Sequence, residues 1–109
     1  MYHVELPAPV AAVVAAINAG DTEAFVRAFT PDGVINDWGR ILRGEEGVRS
    51  WAQSDAIGAN ARMTVLDAVI RGDTTELRFG WQSRVFNGES RAFVTVRGDR
   101  VSEFRIPSE

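Results

Sequence analysis

The sequence predicts an α+β domain whose helices pack on one face of a single sheet, and three observations predict it. Apolar residues at helical spacing are confined to the N-terminal half, interrupted by one short apolar strand. From Arg62 onward, β-branched and aromatic residues alternate with polar ones instead. Turn dipeptides, Gly72-Asp73, Asn87-Gly88 and Gly98-Asp99, punctuate that second half at hairpin spacing. The resulting order is helix, helix, strand, helix, then four antiparallel strands.

The stretch PAPVAAVVAAINAG opens the first helix. Pro9 suits its first turn, Val10, Val13, Val14 and Ile17 recur on one side, and Gly20 supplies a left-handed stop. Asp21 is placed to cap a second, short helix with Glu23 in its first turn, where the helix dipole favours an acid. Phe25, Val26 and Phe29 form its apolar side. Thr30-Pro31-Asp32-Gly33 has the chemistry of a turn. Residues 34–38 read as a short strand and residues 39–44 as a turn or loop. Residues 45–53 read as a third helix with Val48, Trp51 and Ala52 inward. Glu45 and Glu46 at its start complement the helix dipole, which explains them better than a metal would.

Alternation then separates two sheet faces. Leu77, Phe79, Trp81, Ser83 and Val85 share one face of their strand, with Glu76, Arg78, Gln82 and Arg84 on the other. Ala92, Val94 and Val96 fall together, opposite Arg91, Phe93, Thr95 and Arg97. Phe104 and Ile106 point inward from the last strand. One face is therefore apolar and must be covered by the helices. The segment around Asp67 is apolar on both sides, so its orientation stays open.

Composition narrows the chemistry. The chain has 109 residues, 45% of them hydrophobic and 25% charged, with a formal net charge of −3, which fits one soluble globular domain. It has no cysteine and no lysine, excluding thiolate nucleophiles, disulfides and Schiff bases. The single histidine, His3, and the single tyrosine, Tyr2, sit in an N-terminal stretch expected to fray, so neither a Ser-His-Asp triad nor a multi-histidine metal site is available. The arginines are scattered, which argues against nucleic-acid binding. No apolar run reaches the ~20 residues of a membrane helix, and MYHVELPAP lacks the pattern of a secretory signal, so a cytoplasmic protein is expected.

The phrase INAGDTEAFVRAFTPDGVINDWGRILRGEEGVRSW resembles the nuclear transport factor 2-like superfamily, particularly its SnoaL-like branch. Asn18-Ala19-Gly20-Asp21 between two helices, Pro31-Asp32-Gly33-Val34 opening a strand, and Gly44 before a helix that reaches Trp51 carry the resemblance, which extends over about residues 7–107. With the terminal stretch expected to fray, the chain reads as a flexible N-terminus at residues 1–6 and a single domain of this kind at residues 7–109. The resemblance implies a cone: a curved, mixed but mostly antiparallel sheet wrapped around three N-terminal helices, with an apolar pocket, commonly as a homodimer. The superfamily hosts isomerases, cyclases, hydrolases, dehydratases and non-catalytic partners, so function rests on the site.

In ketosteroid isomerases of this superfamily the general-base aspartate lies five residues beyond an acidic turn residue, and Asp37 matches that position relative to Asp32. The positions that would match the two oxyanion donors hold Val13 and Ala92, and losing even one such donor costs about 2.7–4 kcal/mol of transition-state stabilisation. Steroid isomerisation by that route is not expected. Epoxide hydrolases of the superfamily use an Asp-Arg-Asp set to activate water; Asp37, Arg62 and Asp67 offer the residue types without assembling the set.

Within an implied cone, Asp37 is the candidate catalytic residue, because a carboxylate that loses hydration has its pKa raised toward a useful general-base value. Trp81 is the candidate aromatic wall, with an indole N–H for a ligand oxygen. Trp51, Val13, Ile17, Phe29, Ser83 and Phe104 complete the candidate pocket. The plain alternatives are that Asp37 caps its turn or pairs with Arg40, and that Trp51, Val13, Ile17, Phe29 and Phe104 are core. The alanines of the first helix, Ala11, Ala12, Ala15 and Ala16, leave room for a ligand. The expectation is a cofactor-free protein that takes a small apolar or polycyclic ligand, with acid–base chemistry at Asp37. The alternatives are a non-catalytic binding or dimerising cone, or an interaction module built on the arginine-rich sheet face and Phe93.

Overall fold

The computed structural model describes residues 4–108, so the predicted fraying of Tyr2 and His3 lies outside the described residues. Helix α1 (Ala8–Ala19) carries Pro9 in its first turn, and the Gly20 N–H closes its end on the carbonyl of Ile17 at 3.1 Å. Helix α2 (Thr22–Arg27) is capped by Asp21, whose carboxylate accepts the Ala24 N–H at 3.0 Å. Strands β1 (Phe29–Asp37) and β2 (Arg40–Arg43) form a hairpin, followed by α3 (Gly44–Ser54) and a short 3-10 turn (Ile57–Ala59). Strands β3 (Arg62–Arg71), β4 (Thr74–Gln82), β5 (Asn87–Arg97) and β6 (Arg100–Ile106) complete the chain. None of the described helices is long and apolar enough to cross a membrane.

The sheet is open and six-stranded, in the order β2-β1-β6-β5-β4-β3. All neighbours are antiparallel except β1 and β6, which run parallel, with Ile35 beside Phe104 and Asp37 beside Ile106. This pairing brings the first strand of the chain against the last. The register shifts in β1, in β3 and between β5 and β6, and such irregularities bend a sheet, here around the helices as a cone.

Three expectations about local structure are corrected. Thr30-Pro31-Asp32-Gly33 is an irregularity inside β1, between Phe29 and Val34, because β1 continues along β6 on both sides of it. Residues 40–43 are strand β2, too short and too exposed to show an alternating pattern of their own. Asn87 and Gly88 already pair with Gln82 and Trp81, so the β4–β5 loop is residues 83–86 instead. Ser83 builds that loop: its hydroxyl donates to the Phe86 carbonyl and accepts the N–H groups of Val85 and Phe86, at 3.0–3.1 Å.

The core forms where the inward faces meet. Phe25, Ile35, Val48, Leu77, Ala92, Val94, Val101 and Phe104 are fully buried, and each large side chain among them contributes roughly 1.5–3 kcal/mol of transfer free energy. Asn18 fastens α1 to β3 by bonding both the N–H and the C=O of Met63, at 2.7 and 2.8 Å. Of the α1 alanines only Ala16 is buried, against the sheet, so the others face solvent and leave no room for a ligand.

Candidate functional site

Alternation along β1 sends Ile35 and Asp37 toward the interior of the cone, as the sequence predicts. Helix α3 lies across them and buries Val48, Trp51 and Ala52. Trp51 is the hub of an aromatic cluster, with ring centroids 5.9 Å from Phe25, 6.0 Å from Trp81 and 6.0 Å from Phe104. Phe79 stands edge-on to Trp81 at 6.1 Å. These rings do not fill the cone. A cavity of about 610 Å³ remains, walled by Trp51, Phe79, Trp81, Phe104 and Ile106, with Asp37 and Asp55 at one side and the charged residues Arg78, Glu89 and Arg91 also on its lining. That volume suits a small-molecule ligand.

Asp37 is not the lone, dry carboxylate expected from its strand. Its Oδ2 accepts the Trp51 indole N–H at 3.0 Å and the Arg40 guanidinium at 3.0 Å. The same Arg40 nitrogen donates to Asp55 at 2.8 Å, and the Asp55 hydrogen bond holds the guanidinium above its ordinary pKa. The Asp37 side chain is 21% exposed and that of Arg40 52%, so the group sits at the cavity's edge, not at its floor. Of the uses the sequence allows for Asp37, pairing with Arg40 is present and the turn cap falls to Asn36 instead, while Asp37 keeps its place on the cavity wall. Oδ1 of Asp37 has no hydrogen bond among the described residues.

An Asp-Arg-Asp arrangement is thus assembled, from Asp37, Arg40 and Asp55. Arg62 and Asp67 take no part. Both are exposed on β3, and Asp67 accepts only its neighbour's N–H, that of Ala68, at 2.9 Å. Chemically, two carboxylates share one guanidinium beside the cavity, and the Oδ1 of Asp37 is left to accept a hydrogen bond or a proton. Trp81 contributes a different capability. Its indole N–H has no partner among the described residues and belongs to a cavity-lining ring, so it is available to a ligand oxygen.

The other candidates separate cleanly. Trp51 and Phe104 line the cavity as well as packing in the core. Val13, Ile17 and Phe29 are buried away from that wall. Ile17 borders a second hollow of about 430 Å³, mostly polar, at the end of α1. Ser83 spends its hydroxyl on the 83–86 loop and borders the same second hollow. Val13 and Ala92, which stand where the resemblance places oxyanion donors, are packed in hydrocarbon.

The remaining lining residues differ in how far the sequence shows them. Asp55 lies just beyond α3, where no periodicity applies. Ser90 was reachable, because it extends the inward series of Ala92 and Val94 on β5 and pairs with Phe79. Val85 belongs to the inward series of Leu77, Phe79 and Trp81, whereas alternation turns Trp38 away from Asp37 and Phe86 onto the polar sheet face; the β1–β2 and 83–86 loops instead bring all three to the cavity mouth. Trp38 and Gly39 are the whole β1–β2 loop, both with positive φ, 56° and 88°. That is the pattern of a tight hairpin turn which favours Asn-Gly, and a bulky side chain there costs about 1–2 kcal/mol.

A family model for the SnoaL-like domain matches residues 10–106 of the chain. No curated protein matches it in sequence. Among solved structures it is similar to a candidate polyketide cyclase from Sinorhizobium meliloti, at 24% identity and a TM-score of 0.82, over 93% of this chain and 94% of that one. A Mycobacterium tuberculosis protein solved with estradiol-17β-hemisuccinate is 16% identical, with a TM-score of 0.81 over 96% and 95% of the two chains. The Δ5-3-ketosteroid isomerase from Mycobacterium sp. is 12% identical, with a TM-score of 0.81 over 94% and 91%. At such identities the likeness is one of fold.

Proposed function

The chain belongs to the SnoaL-like domain family, and from that premise we propose that it binds a small apolar or polycyclic molecule in the cone and carries out acid–base chemistry on it at Asp37. The observation that carries this reading is the position of the Asp37 carboxylate on the wall of an open aromatic cavity of about 610 Å³. The ring walls supply the binding free energy by removing the ligand's apolar surface from water. The Trp81 N–H orients a ligand oxygen. Asp37 takes a proton from the ligand, or from a water beside it, and Arg40 couples it to Asp55. No step calls for a cofactor, so the reaction types that fit are isomerisation, cyclisation and hydrolysis.

That a fold neighbour was solved with estradiol-17β-hemisuccinate supports a ligand of steroid size. We further propose a cytoplasmic homodimer that pairs through the outer sheet face, where Phe93 lies under Arg105 at 4.6 Å. A sedimentation mass of a single 12.0 kDa chain removes the dimer.

The test is Asp37→Asn, assayed with a panel of polycyclic ketones and epoxides. Binding is followed by tryptophan fluorescence and turnover by chromatography. The variant should still bind, and turnover should fall by about 10²-fold or more. A second reading, a cone that binds without catalysis, is favoured by the hydrocarbon at Val13 and Ala92 and by the guanidinium on Asp37. Wild-type protein that binds the panel and converts none of it would establish that reading instead.

A further inference from the structure

We infer that Trp38 is the specificity-determining residue of the cavity mouth, selecting rigid fused-ring ligands long enough to reach it from the inner ring cluster. The inference rests on the binding half of the proposed function and not on its catalytic half.

Three observations meet at this residue. Trp38 is 62% exposed, and of the exposed large apolar side chains among the described residues only Trp38, Val85 and Phe86 line this cavity. More than half of this indole faces water at the edge of the cavity, so that apolar area is open to a ligand. Second, the indole occupies a left-handed backbone position, φ 56°, that asparagine or glycine fills without penalty. A conformation that costs stability and is nevertheless held by its surroundings points to a use for the side chain. Third, the turn is held on both sides. The Trp38 N–H donates to the Ile106 carbonyl at 2.9 Å, and the Gly39 N–H donates to the Asn36 side chain at 2.9 Å. The ring is therefore presented by a fixed backbone, which lowers the ordering cost of a contact with ligand.

The chemistry of the ligand follows from what stands at each end. Phe86, on the 83–86 loop, gives the mouth a second exposed ring, and Trp51, Trp81 and Phe104 give the interior three more. Ring walls reward a rigid, multi-ring molecule over a flexible chain, because apolar surface is buried while little conformational freedom is lost. On this inference a small molecule held among Trp51, Trp81 and Phe104 gains little from Trp38.

The experiment compares estradiol, with four fused rings, and 2-naphthol, with two, by isothermal titration against the full chain. Trp38→Ala should weaken estradiol by about tenfold and 2-naphthol by less than about twofold, and Trp38→Phe should restore most of the estradiol affinity. Trp38→Asn should weaken estradiol equally while raising Tm, because it relieves the turn. The inference is overturned if wild type binds estradiol and Trp38→Ala binds it as well, if both ligands weaken alike, or if Trp38→Asn lowers Tm, which would make the indole a packing residue. Wild-type protein that binds neither compound sinks the binding reading and this inference together.

Discussion

The β1–β2 hairpin and the β3–β4 hairpin are each closed by two residues, and each needs a left-handed backbone at its tip. At the β3–β4 tip that position is Gly72, with φ 60° and no neighbour within 4 Å of where a side chain would begin. The β5–β6 tip repeats the solution with Gly98 at φ 66°. The β1–β2 tip departs from it by putting Trp38 where the others put glycine. Two tips are optimised for folding alone, and they lie away from the cavity lining. The third accepts strain and stands on the cavity's rim. Turn chemistry is obeyed where only folding depends on it and set aside where a side chain is wanted at a particular place.

The largest effect should come from undercutting the rim hairpin. Asp37 at its base accepts the indole N–H of buried Trp51. Trp51→Ala removes that donor and the hub of the ring cluster, and should cost about 3–5 kcal/mol in urea denaturation. Trp51→Phe keeps much of the packing and should cost distinctly less. Equal losses would show that the hydrogen bond, and not the packing, holds the rim in place.

A smaller loss is expected at the remote tip. Gly72→Val forces a β-branched residue to φ 60° in open space, so only backbone strain is added, about 1–2 kcal/mol. An unchanged Tm would mean that these tips relax freely, and the strain assigned to Trp38 would lose its basis.

The smallest effect concerns how the β5–β6 tip is tied down. Arg97, beside that tip, bonds Asp32 in the irregular part of β1, and the guanidinium holds the Asp32 carboxyl below its ordinary value of 3.8. A carboxyl lowered by folding stabilises the folded state above its unfolded pKa, and that contribution disappears as pH falls through the folded value. Asp32→Asn should therefore shift Tm slightly at neutral pH and flatten the decline of Tm below pH 3.8. Both residues are solvent-exposed, so a large shift would contradict this account.

Much of this fold is legible residue by residue. The valine spacing of α1, the Asp21 cap and the Gly72 and Gly98 turns appear where local chemistry puts them. The alternation of Leu77, Phe79 and Trp81 is equally faithful, since a strand has only two faces and water rejects one set. Misreadings arise where a partner strand outweighs local preference. Pro31-Asp32-Gly33 looks like a turn until β6 pairs on either side of it, and β2 has no pattern to read because β1 makes it a strand. The site was legible in the same proportion. Asp37, Trp51, Trp81 and Phe104 share one cavity wall because all four are inward positions, whereas Val13, Ile17 and Phe29 point inward and are consumed by the core.

Periodicity therefore sufficed for element types, their order and the choice of buried face, because burial of an apolar side chain depends on spacing along the chain. Which charges meet, and whether any space is left between the rings, depended on how the elements came together. Arg40 reaches Asp55 across fifteen positions only because α3 folds back over the β1–β2 hairpin. Coulomb attraction and hydrogen bonding act over a few ångströms of space and are blind to sequence distance, so the partners of Asp37 and the open cavity beside it emerged only in three dimensions.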